Sequence, residues 1–534
     1  GAAASPGRPR FADVAGKSSF SYVSNNNFTG RKYFPQPMCG GIALLDFDRD
    51  GRLDIFFTNG AELPSLRKTG PAFHNCLLRN AGNGAFEDVT SRARLEGAHL
   101  DFSYGVAAAD YDNDGWTDLF IANTGPNTLF HNNGDGTFTD VTARSGLESK
   151  PKDTLSVQAA WFDYDNDGRL DLILSNYTLW TPELDHRCVR ADGVDFYCHP
   201  KTYPPVPHRL YHNRGDGTFE DVTASSGFEK ALGKGMGIGI ADFNRDGFTD
   251  VFVANDTEPN FLYLNQEGKT FREVGLMYGV AYNDEGATVS AMGCDVKDYD
   301  NDGWVDVFYN NLMRQTWALF QNRGGKLFRY VSPGTGIVRL SETRSGWSNG
   351  FIDYNNDGWK DIYSANGDVD YLAANARQHD TLFENVDGKR FHDVSAELGP
   401  DFLVTGFQRG SAIGDLNNDG FPDLVVTSLN QKPRILLNSA DNGQHWLMVE
   451  ARGRRANRDA IGAEITVTTV SGRSLYNHVS PSVGFMSSSD LRVHFGLGSE
   501  TRIRSLEIRW PGGAVQRLED LESDQFVVVE EPTP

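Results

Sequence analysis

Cysteine is scarce in this chain: five residues among 534, at positions 39, 76, 188, 198 and 294. That is too few for a scaffold built on disulfides, so an ordinary apolar core must carry the fold. Long apolar runs are missing too. None approaches the roughly 20 residues a membrane helix needs, and no membrane span is predicted. Positive charge is in the minority, with 50 Lys and Arg against 72 Asp and Glu, for a net charge of -22. No basic stripe follows the chain, which argues against nucleic acid as a partner. No nucleophile elbow, P-loop, dinucleotide fingerprint or His-Glu-x-x-His is read.

What the chain has in quantity is one short acidic loop, seven times over. The first is Asp46-Phe47-Asp48-Arg49-Asp50-Gly51-Arg52-Leu53-Asp54. Oxygen side chains stand at positions 1, 3, 5 and 9, and Gly at position 6. The seven sets are Asp46, Asp48, Asp50 and Asp54; Asp110, Asp112, Asp114 and Asp118; Asp163, Asp165, Asp167 and Asp171; Asp242, Asn244, Asp246 and Asp250; Asp298, Asp300, Asp302 and Asp306; Asp353, Asn355, Asp357 and Asp361; Asp415, Asn417, Asp419 and Asp423. This is the ligand spacing of a calcium loop: a hard cation collects several oxygens and the Gly permits a sharp turn. The reading predicts about seven calcium ions. Seven dications would bring the charge from -22 to about -8, ordinary for a folded domain.

The loops recur every 53 to 79 residues, enough for a four-stranded unit. Between them runs a second motif, Leu-x-x-Asn, a Gly-rich turn, then Phe-x-Asp-Val, as in Leu129-Phe130-His131-Asn132 and Phe138-Thr139-Asp140-Val141. Each unit reads as a small apolar strand, the loop, a buried strand, the Leu-x-x-Asn strand and the Phe-x-Asp-Val strand. Seven such sheets predict an all-β fold, a seven-bladed β-propeller over residues 11–440. The seventh unit stops at Leu436-Leu437-Asn438. Phe11-Ala12-Asp13-Val14 supplies the missing outer strand, so the chain start is expected to close the last blade. Residues 1–10 read as a disordered, processed tail.

After Asn442 the loops stop and alternating strands begin, such as Trp446-Leu447-Met448-Val449 and Leu506-Glu507-Ile508-Arg509-Trp510. Residues 441–534 are expected to form a small β-sandwich domain packed on the propeller.

The acidic loops resemble the FG-GAP/VCBS repeats of integrin α-subunit propellers and of many secreted bacterial proteins. Asn457-Arg458-Asp459-Ala460-Ile461-Gly462-Ala463, His494-Phe495-Gly496-Leu497-Gly498 and Trp510-Pro511-Gly512-Gly513 resemble the ASPIC/UnbV domain that follows such propellers in the cartilage acidic protein family. Gly484-Phe485-Met486-Ser487-Ser488 departs mildly from that family's usual Gly-Tyr-x-Ser-Gln. The vertebrate members carry an EGF-like module, whose cysteine pattern is not seen, so the resemblance is to the bacterial branch. It implies calcium on one face, here called lower, and a ligand on the other.

Cys39 precedes strand one of the first blade and Cys76 begins its strand three, so alternating strands place both at the same end of the blade, and they are candidates for a disulfide. Cys188 and Cys198 share one loop and are candidates for a second, while Cys294 is expected as a buried thiol. The rival for the loop pair is zinc held by His186, Cys188, Cys198 and His199. The longest upper loop runs from Asn176 to His208, and the sixth blade adds Asn366 to His379. Long loops in a compact domain tend to carry function. Candidate ligand-face residues are Trp180, His186, His199, Trp347, Arg344, Arg409 and His379, with the two arginines read as an anion or sugar site. Arg214-Gly215-Asp216 falls on a repeat turn and is discounted.

The leading expectation is an exported calcium-binding module, secreted, periplasmic or at the cell surface, that binds a polysaccharide, matrix or protein ligand. The alternative is a secreted metal-dependent enzyme, similar to carbohydrate lyases or dehydratases. Its site would lie on the upper face or at the domain junction, with a transition metal held by upper-loop histidines such as His74, His186, His199, His208 and His379.

Overall fold

The computed structural model describes residues 9–147, 153–439 and 442–533. Most of the expected tail, and the expected boundary between residues 440 and 441, lie outside the described residues. Arg10 already belongs to a strand.

Seven antiparallel sheets, each with the four strands of one repeat, make up the larger part. In blade two the strands are Ser103–Ala109, Asp118–Asn123, Thr128–Asn132 and Phe138–Asp140. First and second strands are buried along almost their whole length, as their near-continuous apolar sequence requires. The fourth strand alternates, with Phe138 inside and Thr139 and Asp140 outside. The first strands of successive sheets touch in order, and that of the seventh, Gln408–Gly414, touches that of the first, Ile42–Leu45. The ring is therefore closed and the fold is a β-propeller. Arg10–Asp13 pairs antiparallel with Arg434–Ser439 as the outer strand of the seventh sheet.

The Asn of Leu-x-x-Asn fastens each blade to its neighbour. Asn132 Nδ2 donates to the Phe47 carbonyl of the preceding acidic loop at 2.9 Å, and Asn213 Nδ2 to that of Tyr111 at 2.9 Å. The contact recurs from Asn265, Asn322, Asn385 and Asn438 to the carbonyls of Tyr164, Phe243, Tyr299 and Tyr354. Asn80 makes it to Leu416 across the closure. A repeated sequence motif is thus a repeated interblade staple.

The C-terminal part is a three-stranded sheet, Val493–Gly498, His445–Arg452 and Gln525–Glu530, and a four-stranded sheet, Ser474–His478, Glu464–Thr469, Arg502–Arg509 and Val515–Glu522. Leu447 and Val449 of the first share one core with Ile465, Val467 and Leu506 of the second. This unit packs on the acidic-loop face. Arg458 N donates to Asn113 Oδ1 at 2.7 Å, Arg473 Nη1 to the Asp357 carbonyl at 2.7 Å, and Arg492 Nη2 to the Asp415 carbonyl at 2.8 Å.

From there one segment enters the propeller axis and meets the first strand of every blade. Ser482 Oγ donates to the Ile238 carbonyl at 2.8 Å, and Gly484 N to that of Cys294 at 2.8 Å. Phe485 N reaches Ser348 Oγ at 3.0 Å and Met486 N reaches Gln158 Oε1 at 3.1 Å. Val106 N donates to the Met486 carbonyl at 3.3 Å. Ser487–Ser488 adds a parallel fifth strand on Ile42 and Ala43, and Ser489 Oγ accepts from Ile413 N at 3.1 Å. Gly484 sits at φ 78°, and a side chain there would press on Ser348 and Asn349. The Gly-Phe-Met-Ser-Ser string is the plug of the channel.

Candidate metal loops and the upper face

Each acidic loop is shaped by its own backbone. In the first, Asp46 accepts from Asp50 N at 3.0 Å and Gly51 N at 2.9 Å. Asp50 accepts from Arg52 N at 3.1 Å, and Gly51 has the positive φ, 84°, that position 6 needs. Asp54 accepts from Phe47 N at 3.1 Å and from Asn80 N at 2.7 Å, so the two sequence motifs meet at position 9. The first and last of these arrangements recur in all seven loops, for example Gly115 N on Asp110 and Asn132 N on Asp118.

Position 3 is different. Asp48 Oδ1, Asp165 Oδ1 and Asp300 Oδ1 are buried and have no hydrogen-bond partner. Burial pushes Asp54, Asp110 and Asp163 up to about 8 and Asp118 and Asp298 up to about 7. Asp250, Asp306, Asp361 and Asp423 are also raised, again chiefly by burial. The carboxylate oxygens of Asp46, Asp48 and Asp50, of Asp110, Asp112 and Asp114, and of Asp163, Asp165 and Asp167 lie within 4.8 Å of one another, a spacing that fits a divalent cation preferring oxygen.

The loops are not alike, and the variable residue just before the interblade Asn makes the difference. Arg79 reaches Asp48 at 2.6 Å and Asp50 at 3.1 Å. His131 Nδ1 lies 3.2 Å from Asp118 and His212 Nδ1 3.1 Å from Asp171. Gln321 donates to Asp300. Leu264 and Leu437 occupy the same register in blades four and seven. Sequence reasoning missed this position. Its signal was the x that precedes Asn in a motif otherwise read only for its fixed letters.

On the opposite face the long loops close over the axis. Arg31 pairs with Asp185 at 2.9 Å, Arg190 with Asp370 at 3.1 Å, and Tyr371 Oη donates to the Asp195 carbonyl at 2.8 Å. Beneath this cover three candidate ligand residues are withdrawn from solvent. Trp180, Trp347 and Arg409 are 0%, 2% and 1% exposed, respectively. Arg409 stacks 3.8 Å above Trp347 and donates to the Pro37, Gln408 and Gly367 carbonyls. Buried, with Nε and Nη1 donating to protein carbonyls, it does not face solvent, so the expected anion or sugar site is corrected to a structural cation. No hydrogen bond or ion pair joins it to half-buried Arg344 among the described residues.

His186 and His199 are exposed on the blade-three loop, and half-buried His379 lies near the close of the blade-six loop. His208 is buried below, its ring lowered to about 4 by that burial. His74 belongs to blade one. The Gly346-Trp347-Ser348-Asn349-Gly350 string imitates a nucleophile elbow but runs inside a strand, with Ser348 buried against the plug.

Cys188 and Cys198 form a disulfide, which excludes the zinc alternative in this state. Cys39, Cys76 and Cys294 are free and buried. The expected Cys39–Cys76 bond is corrected. Ile42 pairs with Phe57 and Phe57 with Cys76, so a whole strand separates the two sides. Two strand spacings, about 9.5 Å, exceed the reach of a disulfide.

Comparison with known proteins agrees with this repeat architecture. The FG-GAP-like repeat family matches residues 69–121, 110–174, 202–253, 242–308, 298–364 and 365–445, together well over half of the chain. The chain belongs to the FG-GAP-like repeat family. Its end, residues 453–534, matches the ASPIC and UnbV family. The FG-GAP chain is 26% identical over 490 residues to cartilage acidic protein 1 of Xenopus tropicalis, covering 89% of this chain and 61% of that protein. Against the Homo sapiens protein it is 24% identical over 496 residues, covering 89% and 60%. It therefore spans about three fifths of those relatives. Two lectin structures also align. One, from Agrocybe aegerita, concerns recognition of non-reducing terminal N-acetylglucosamine: TM-score 0.42, 15% identity, 75% of this chain and 95% of that one. The other is BP39L from Burkholderia pseudomallei: TM-score 0.46, 9% identity, 75% and 96%.

Proposed function

We propose that this FG-GAP protein is an exported, calcium-stabilised propeller that acts as a ligand-binding or adhesion module for a polysaccharide, matrix component or protein. The observation that carries the calcium part is the set of buried position-3 oxygens without partners, Asp48, Asp165 and Asp300, inside loops whose other carboxylates are fixed by backbone donors. A dication at each loop would neutralise groups that burial otherwise forces to hold protons. The disulfide in the upper loop and the relationship to cartilage acidic protein 1 support export.

Closure of the axis moves the ligand surface outward, onto the cover itself. Phe28, 49% exposed, meets Tyr371 edge-on at 5.2 Å, and Tyr371 stacks on Phe196 at 5.7 Å. Lys32 and Arg190 lie over these rings. Such a platform suits the apolar face of a sugar ring or an aromatic side chain.

Metal content measured on the dialysed protein, followed by glycan-array and matrix-protein binding, tests the reading. Several calcium ions per chain, binding that Phe28→Ala abolishes without a change in melting temperature, and binding that Tyr371→Ala also abolishes, are expected. A chain that takes up no calcium would overturn the first half, and wild-type binding by both variants the second.

A further inference from the structure

The seven loops share one backbone plan, yet two of them receive an imidazole. His131 and His212 sit at the same register of the third strand in blades two and three, each directly before the interblade Asn. His131 Nδ1 lies 3.2 Å from Asp118 Oδ1 and 3.4 Å from Asp112 Oδ2. His212 Nδ1 lies 3.1 Å from Asp171 Oδ1 and 3.6 Å from Asp165 Oδ2. Donors at right angles around an ion with bonds of about 2.2 Å stand about 3 Å apart, so these are ligand-to-ligand separations.

A second observation points inward at each site. His131 Nδ1 is buried with no partner apart from the facing carboxylates, and Asp165 Oδ1 is buried and unpartnered, while His212 Nδ1 is hydrogen-bonded to Asp171 at 3.1 Å. The histidines also have a backbone of support. Tyr111 and Tyr164, at position 2 of the same loops, meet His131 and His212 edge-on at 6.3 and 5.8 Å, fixing each ring above its carboxylates. The other blades mark the contrast. Arg79 brings a fixed positive charge into loop one, while Leu264 and Leu437 bring no donor at all.

We propose that the loops of blades two and three are mixed carboxylate–imidazole sites selective for a first-row transition dication of the cobalt or zinc type. His131, Asp112 and Asp118 hold one ion, and His212, Asp165 and Asp171 hold the other. Calcium takes oxygen ligands and gains little from an imidazole, whereas these ions prefer a mixed nitrogen–oxygen set. The inference rests on the proposed cation binding by the loops and adds which ion two of them take.

The test uses the full chain, stripped with chelator, dialysed, and equilibrated with cobalt(II) in the presence of excess calcium. Two cobalt equivalents are expected to remain after gel filtration, with a visible d–d spectrum. His131→Leu and His212→Leu should each lose one, and the double variant both. Leu is the residue blades four and seven already carry there. If the Leu double variant misfolds, His131→Gln with His212→Gln serves, Gln being the residue blade five carries at that register. Calcium uptake by the remaining loops should persist in every variant. No cobalt retained by the wild type, cobalt at all loops alike, or two equivalents retained by the double variant would overturn the proposal. A chain that takes up no calcium from calcium alone would instead defeat the underlying calcium reading, and the cobalt count would still judge this one.

Discussion

Asn80 Nδ2 lies 2.8 Å from the carbonyl of Leu416, a residue 336 positions away, and this hydrogen bond staples blade one to blade seven. The same amide reaches the Leu53 carbonyl at 3.0 Å, and Asn80 N reaches Asp54 at 2.7 Å. One side chain therefore ties the ring closure, the acidic loop and the third strand together. Asn80→Ala leaves two buried carbonyls without that donor and should cost about 1–3 kcal/mol. Chemical denaturation of the variant beside wild type measures it. A midpoint unchanged from wild type would show that the staple is replaceable by water.

The thiols give a simple check on the first blade. Burial raises Cys39, and pushes the thiols of Cys76 and Cys294 up as well. A protonated, inaccessible thiol reacts slowly. Alkylation of the native chain should leave all three unmodified, and alkylation in denaturant without reductant should label three. Labelling of only one in denaturant would mean that Cys39 and Cys76 are bonded after all.

Much of this molecule was legible because its chemistry repeats. Asp-x-Asp-x-Asp-Gly-x-x-Asp, with Asn at the third position in three loops, fixes the loop, and the apolar run after it fixes a buried strand, so seven copies announce seven sheets. The fate of Phe11-Ala12-Asp13-Val14 was legible for the same reason, as a motif found without its unit. Single events were not. Gly484-Phe485-Met486 has no internal counterpart, and nothing local distinguishes a channel plug from an ordinary turn. Trp347 and Arg409 follow the same logic: strand position placed them at the axis, but only the plug and the three joined loops decide that they are buried. Cys39 and Cys76 misled because a shared end of the blade was read as proximity, although strand two, through Phe57, lies between them.

The plug makes the C-terminal sheets part of the propeller's core. Phe485 is fully buried and packs against Trp347 at a ring separation of 5.4 Å. Phe485→Ala should cost about 3–5 kcal/mol. Phe526, 40% exposed on the three-stranded sheet, offers a control whose removal should cost far less. Calorimetry of the wild type should show one transition, because the two parts share a core. Two well-separated transitions, with Phe485→Ala moving only the smaller, would show that the plug serves the C-terminal sheets alone.

Metal and pH should act on stability with opposite signs. Without a cation, burial holds Asp54, Asp110 and Asp163 up at about 8. These folded values exceed the ordinary unfolded value, near 4. Their contribution is therefore complete below about pH 4 and is lost as pH rises through about 8, where the folded chain must ionise buried carboxylates. His131 and His212, raised chiefly by their hydrogen bonds to Asp118 and Asp171, lose their contribution in the same direction as pH rises through their raised values. Chelated and dialysed protein should thus melt at a higher temperature at about pH 5.5 than at about pH 8.5. Calcium reverses the slope, because it binds the ionised loops and protons compete with it. The loaded protein should be most stable at the alkaline end and lose that gain on acidification. Melting curves at matched ionic strength, with and without calcium, test both limbs. Slopes of the same sign in the two states would mean that the carboxylates are not the groups calcium engages.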